Sequence, residues 1–221
     1  MMTWTVLITE AHLPWSQALS RYFAQQQWKV IACMPEESCA NISFTDQDQI
    51  RVVPLDARSK ASVQAAAEHV QGMTDHIDLI IGQGASDEEG ELPGIAAVSP
   101  SRLMEAFNAN ALGPIRIVEA FLPMMTQGMK RIALLTDPKG SMGLSLPESG
   151  FGYGMSKAAL HMAFTMMHGD LRRDGFTFRL YASALEEEEN SAQTAFHYFT
   201  QPREDEERIV ILHETGAELP L

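Results

Sequence analysis

The chain has 221 residues, 45% of them hydrophobic and 20% charged, enough apolar material for one globular domain with a sizeable core. Its formal net charge is -13, and so acidic a surface argues against nucleic acid or an anionic membrane as a partner, because their phosphates would be repelled. The two cysteines, Cys33 and Cys39, imply no disulfide framework, and with seven scattered histidines they offer no recognisable metal-ligand spacing, so no metal is expected.

No leader segment is recognisable and no apolar run approaches a membrane span, which makes a reducing cytoplasm the expected compartment. Trp4–Thr9 is short, apolar and β-branched, the pattern of a buried strand. A turn with Pro14 follows, then a helix over Ser16–Gln27 with Ala18, Leu19, Tyr22 and Phe23 inward. Further strands are read at Trp28–Cys33, Arg51–Leu55, Ile77–Ile81, Arg131–Leu135, Phe176–Tyr181 and Arg208–Leu212. A helix through Val63, Ala66, Ala67 and Val70 follows Asp56. Asp87–Pro100 reads as an acidic loop punctuated by Gly and Pro. Long helices cover about 101–126, with a bend at Pro114, and about 152–174. The acidic run Glu186–Glu189 reads as a solvated loop.

Strands alternating with helices, and apolar on both faces, predict a single α/β domain over 1–221: a Rossmann-like, doubly wound parallel sheet of about seven strands in a three-layer α/β/α sandwich. Ligands in such a sheet bind beyond the carboxyl ends of the strands. The positions to inspect are therefore Thr9 onward, Asp56, Gly82 onward and Thr136 onward.

Tyr153 and Lys157 stand four apart on the second long helix and so project from one face. An ammonium beside a phenol stabilises the phenolate and pulls its pKa toward neutrality, which suits a general acid/base exchanging protons with an alcohol or carbonyl. A lone Tyr-x-x-x-Lys also occurs on many unrelated helices. The surrounding residues decide its meaning.

The strand order, with Asn110 on one helix and Tyr153-Gly-Met-Ser-Lys157-Ala-Ala-Leu-His-Met162 on the next, resembles the short-chain dehydrogenase/reductase family, and within it a C-factor-like branch. Asn110-Ala-Leu-Gly113, Val118-Glu-Ala-Phe-Leu-Pro123 and Glu214-Thr-Gly-Ala-Glu-Leu-Pro220 support it, and the resemblance covers almost the whole chain. It implies NAD or NADP as cofactor and a small carbonyl or alcohol as substrate. Tyr153 would be the acid/base, Lys157 would lower its pKa and bind the nicotinamide ribose, and Asn110 would hold a relay water. Thr9, Trp15, Asp56, Gly82 and Gly84 would join Lys157 in contacting the cofactor, with Asp56 at the adenine. The serine role falls on Ser141 by distance from Tyr153, whereas aligning Leu134–Met142 puts Asp137 in that place.

Three motifs depart from the family pattern. The phosphate turn Thr-Gly-x-x-x-Gly-x-Gly reads Thr9-Glu10-Ala11-His12-Leu13-Pro14-Trp15-Ser16, replacing all three glycines. Glycine permits positive φ and close approach of backbone to a pyrophosphate, while Glu10 brings a carboxylate and Pro14 removes an N–H. A helix N-terminus still follows. Asn-Asn-Ala-Gly becomes Gly82-Gln83-Gly84-Ala85, and the Pro-Gly expected after the sixth strand becomes Tyr181-Ala-Ser-Ala-Leu185. The second strand ends Cys33-Met34-Pro35, with neither the acid that marks NAD nor an Arg that marks NADP.

Two readings are open at this point. One is an NAD(P)-dependent oxidoreductase; the other is an inactive family member kept as a binding or assembly module. Either implies a homo-oligomer through the helices at about 101–126 and 152–174, whose Ala158, Ala159, Met162, Ala163, Met166 and Met167 suit helix–helix packing.

Overall fold

The computed structural model describes residues 3–44, 49–84, 99–144, 151–183 and 188–221, except for the side chains of residues 188–190. Eight strands form one sheet: β1 Thr5–Ile8, β2 Lys29–Met34, β3 Ile50–Pro54, β4 Leu79–Gln83, β5 Arg131–Thr136, β6 Thr177–Ala182, β7 Ile211–His213 and β8 Glu218–Leu219. Their order is β3-β2-β1-β4-β5-β6-β7-β8, parallel throughout except for the β7–β8 pair. The doubly wound, three-layer α/β expectation therefore holds, with the direction of winding reversing between β1 and β4.

Every residue of β1 and of β5 is buried, because helices cover both faces of the sheet. Leu7 faces the layer of α3 (Lys60–Gln71), α5 (Gly113–Phe121) and α6 (Phe151–Leu171), whereas Val6 and Ile8 face α1 (Pro14–Gln25) and α7 (Glu188–Thr200). In the first layer Phe164 of α6 meets Phe178 of β6 edge to face at 4.9 Å. Truncating such a buried ring to Ala costs about 3–5 kcal/mol.

Five elements correct the sequence reading. Helix α1 begins at Pro14 rather than Ser16, since a proline suits the first helical turn, where its missing N–H has no intrahelical partner. The acidic run is helical from Glu188 onward; Glu186 and Glu187 lie outside the described residues. Acidic residues are favourable in a first helical turn, and Ala192, Ala195 and Phe199 form a buried stripe behind them. Two short elements, α2 (Glu36–Cys39) and β8, escape any periodicity signal because they span only four and two residues. The helix expected over 101–126 is interrupted: α4 (Pro100–Phe107) opens into a wide turn over Asn108–Leu112 before α5. Pro114 has no N–H for the carbonyl of Asn110 four residues back, and the N–H of Gly113 bonds instead to Asn108, five back.

At the foot of β5 and β6, Arg131 and Arg179 cap the end of α7. Arg131 Nη1 donates to the Phe199 carbonyl (2.6 Å) and Arg179 Nη2 to that of Gln201 (3.3 Å), while both guanidiniums pair with Glu206. Burial and the neighbouring Arg179 push Arg131 down to about 10, with Glu206 pulling the other way.

Candidate active site

The reversal of winding opens a crevice between the carboxyl ends of β1 and β4, where doubly wound folds bind ligands. The Gln83 N–H donates to Thr9 Oγ1 (2.9 Å), and Ser16 Oγ donates to Gln83 Oε1 (2.5 Å). Two departures from the family pattern thus answer one another: the hydroxyl of Ser16, where glycine is expected, meets the amide of Gln83, where asparagine is expected. Thr9 and Ser16 are fully buried, so this brace lies beneath the crevice floor.

Beyond β4 the chain passes through Gly84 into a tight cradle. A Cβ at Gly84 would stand 2.4 Å from Asn110 Oδ1, 3.1 Å from Lys157 Nζ and 3.2 Å from the Asn110 Cα. Asn110 is buried; its Nδ2 donates to Ser156 Oγ (3.0 Å), whose hydroxyl donates to the Tyr153 carbonyl (2.7 Å). Its Oδ1 has no hydrogen-bond partner among the described residues. Lys157 is 3% exposed, so Tyr153 and Lys157 are no surface pair. Burial brings the Lys157 ammonium down to about 8, with the Asp137 carboxylate opposing the shift.

The ring of Tyr153 has two cations close to it, its centroid 5.2 Å from Lys157 Nζ and 5.4 Å from Lys139 Nζ. Its hydroxyl donates to Asp137 Oδ2 (3.1 Å), and the other Asp137 oxygen accepts from the Lys139 N–H (2.8 Å), which fixes the carboxylate. Of the two candidates for the serine role, Asp137 is the one hydrogen-bonded to the phenol. Ser141, four residues on, is buried and its hydroxyl makes no hydrogen bond among the described residues.

His161 and Gly140 take part in this wall, and the sequence reading passed over both. His161 stands one turn beyond Lys157 and pairs with Thr136 Oγ1 at the end of β5; the i, i+4 spacing from Lys157 was the available signal. Burial pushes His161 down to about 4, so it is neutral here. Gly140 lets the loop after β5 press onto α6: a Cβ there would meet Lys157 Cβ at 2.7 Å and its carbonyl carbon at 2.8 Å.

The first turn is built differently. Glu10 occupies the first glycine position and keeps a left-handed backbone, φ 50°, the conformation for which glycine is the default. The Ala11 N–H donates to the Cys33 carbonyl (2.9 Å), holding the turn over β2. The Glu10 carboxylate lies 3.7 Å from His12 Nδ1. Burial and the neighbouring Asp56 raise it to about 7, against the pull of Arg58.

Asp56 does not cap α3; that is done by Ser59, which accepts from the Ser62 N–H. Asp56 instead holds the Arg58 side chain with both oxygens, at 2.9 and 3.1 Å. The remaining expected cofactor contacts face elsewhere. The Trp15 indole is buried against Tyr181 and donates to Ser191 Oγ (3.0 Å). Gly82 lies within β4, where a Cβ would meet the Leu134 side chain at 2.6 Å. Among the described residues no three His, Cys, Asp or Glu side chains gather as a metal site, and no helix is long and apolar enough to cross a membrane.

The fold is shared with solved structures of low identity. They include carbonyl reductase Sniffer of D. melanogaster (TM-score 0.83, 16% identical, all of both chains covered) and an NADPH-bound carbonyl reductase from chicken fatty liver (TM-score 0.78, 19% identical, all of both chains covered). In sequence the chain is similar to C-signal of Myxococcus xanthus, 43% identical over 75 residues that cover 34% of this chain and 45% of that protein. It is also similar to an uncharacterised oxidoreductase of Schizosaccharomyces pombe, 30% identical over 129 residues, 58% of this chain and 50% of that one. The chain thus spans about half the length of these two relatives. A longer match, 28% identical over 180 residues covering 80% of this chain and 75% of the relative, is to 1-hydroxy-2-glutathionyl-2-methyl-3-butene dehydrogenase of Rhodococcus sp. (strain AD45). Residues 5–185 match the family model described as short chain dehydrogenase, and the chain belongs to that oxidoreductase family.

Proposed function

We propose that this chain transfers hydride between NAD(P)(H) and a small alcohol or carbonyl, with Tyr153 as the acid/base. The observation that carries this reading is the buried Lys157 ammonium set between the Tyr153 phenol and the Gly84–Asn110 cradle. The polar groups of that cradle suit a nicotinamide ribose at its mouth: Lys157 offers donors, and Asn110 Oδ1 is a buried acceptor lacking a partner among the described residues. When bound, the nicotinamide supplies the hydride chemistry, and the protein supplies position and protons.

Lys157 favours the phenolate of Tyr153 and the hydrogen bond to Asp137 favours the neutral phenol; the phenolate would accept the hydroxyl proton as an alcohol is oxidised, and the phenol would return it as a carbonyl is reduced. Asp137 orients the phenol. A carboxylate only accepts hydrogen bonds, so the group it holds best is a substrate hydroxyl, and it opposes negative charge growing on the reacting oxygen. Asn110 is the proposed anchor of a water linking Lys157 to solvent. Trp15 offers a phosphate only its backbone, since its indole is engaged beneath α7.

Glu10, Pro14 and Ser16 favour a second reading, a family member that binds no dinucleotide and serves as a binding or assembly module. Titration with NADH and NADPH, followed by thermal shift, separates the two, because a ligand that binds only the native state raises its stability. A shift with either nucleotide, together with a Tyr153→Phe variant that keeps the shift and loses turnover, establishes the first reading. Absence of any shift at millimolar nucleotide removes it. The exposed Met104, Met155, Met162 and Met166 of α4 and α6 support a homodimer through these helices; a monomer by light scattering at micromolar protein would refute it.

A further inference from the structure

Given the dinucleotide use proposed for this chain, on which the assignment rests, the choice between the two nucleotides is written in the first turn. In a doubly wound sheet the adenosine end of a dinucleotide lies over the first strands of the nucleotide-binding half, and a carboxylate there takes the ribose 2′-hydroxyl. That carboxylate ordinarily stands at the end of the second strand. Here β2 ends in Cys33-Met34 and is followed by Pro35, so that source is missing.

Glu10 brings a carboxylate to the same edge from a different strand. Its backbone is tied to β2 through the Ala11 N–H and the Cys33 carbonyl (2.9 Å). Its left-handed φ of 50° sets the direction in which the side chain leaves the turn. The side chain is 17% exposed, beside His12 and within the field of Asp56 and Arg58. It is thus sheltered but reachable.

Two arginines at this edge are already engaged. Arg58 is gripped by both oxygens of Asp56 and also feels Glu10 and Glu37. Arg116 is turned to the Ala57 carbonyl (3.2 Å). A 2′-phosphate entering here would face Glu10, Asp56 and Glu37, and neither Arg58 nor Arg116 is free to receive it in the bidentate manner that phosphate recognition favours. A ribose diol would instead present hydroxyl donors to an acceptor.

We propose that Glu10 is the cofactor-selecting residue, accepting a hydroxyl of the unphosphorylated adenosine ribose and excluding a 2′-phosphate, so that the chain uses NAD(H) rather than NADP(H). The glycine lost from the phosphate turn is thereby a specificity determinant. The preference is opposite to the nucleotide carried by the carbonyl reductase from chicken fatty liver.

Isothermal titration of the whole chain at pH 8.5, where the Glu10 carboxyl is ionised, with NADH and NADPH tests this, with 5′-AMP and 2′,5′-ADP as probes of the adenosine end alone. Wild type should bind NADH and 5′-AMP about tenfold or more tighter than their 2′-phosphorylated counterparts. Glu10→Gln, which keeps the size of the side chain and removes its charge, should narrow that ratio about fivefold or more, and Glu10→Gly should narrow it at least as far. Equal affinities in wild type, a preference for the phosphorylated ligands, or a ratio unmoved by Glu10→Gln would overturn the assignment while leaving dinucleotide use intact. Binding of none of the four by wild type or either variant would end the dinucleotide reading, and this one with it.

Discussion

The two ends of the crevice tolerate substitution in opposite ways. Around Lys157 the backbone closes so tightly that Gly84 and Gly140 have no room for a single added carbon. In the first turn, three positions that are glycine in the family pattern carry Glu10, Pro14 and Ser16, and each has found a place: a left-handed turn, the first position of a helix, and a partner in Gln83. A site can therefore keep its backbone path while exchanging its chemistry, provided each new side chain has somewhere to go. Both ends also hold an ionisable group that its surroundings shift against its charged form, Lys157 downward and Glu10 upward.

The comparison is most sharply tested by replacing Lys157 with Met. The folded-state pKa of Lys157 is about 8, below its ordinary 10.5, so the charged ammonium weighs against the folded state by about 3 kcal/mol at neutral pH. That penalty is complete below pH 8 and is relieved as pH rises toward 10.5, so wild type should gain stability across that window. Lys157→Met should be more stable at pH 7, lack this rise in urea unfolding, and have no turnover. A variant less stable than wild type at pH 7 would mean that the ammonium holds the cradle together.

Gly140→Ala should cost about 1–3 kcal/mol, since the new methyl meets the backbone of α6 rather than a flexible tip; the urea midpoint reads this directly. An unchanged midpoint would show the cradle to be looser than its contacts imply. Two further effects lie at the other end. Glu10 has a folded pKa near 7, above its ordinary 4.5, so its contribution to stability is present below pH 4.5 and lost as pH rises through 7. Glu10→Gln should flatten that decline, by about 2 kcal/mol given the partial exposure of the carboxyl. Glu10→Gly should in addition relieve the left-handed backbone, worth about 1 kcal/mol in thermal or urea unfolding.

How far these features are legible in the sequence depends on the range of the forces that make them. The layered fold was legible because apolar strands such as Val6-Leu7-Ile8 and stripes such as Val63, Ala66 and Val70 repeat with fixed periods. The pairing of Tyr153 with Lys157 was legible for the same reason, being a local spacing. The Asp137–Tyr153 hydrogen bond was open to either of two alignments, since it depends on how a loop after one strand settles against a separate helix. Helix α7 was hidden because its acidic start outweighed a sparse stripe of Ala192, Ala195 and Phe199. The brace from Ser16 to Gln83 joins residues 67 apart in sequence, and no local pattern announces a contact of that separation.

The wide turn at Asn108–Leu112 makes the helical layer sensitive to length as well as to composition. An α-helix advances about 100° per residue, so removing Ala109 to restore a regular helix would swing Asn110 away from Ser156 or carry Gly113 off its close contact with Ala57. Substitutions at this bend are absorbed one residue at a time; a deletion would reset the phase of everything between Asn110 and the end of α5.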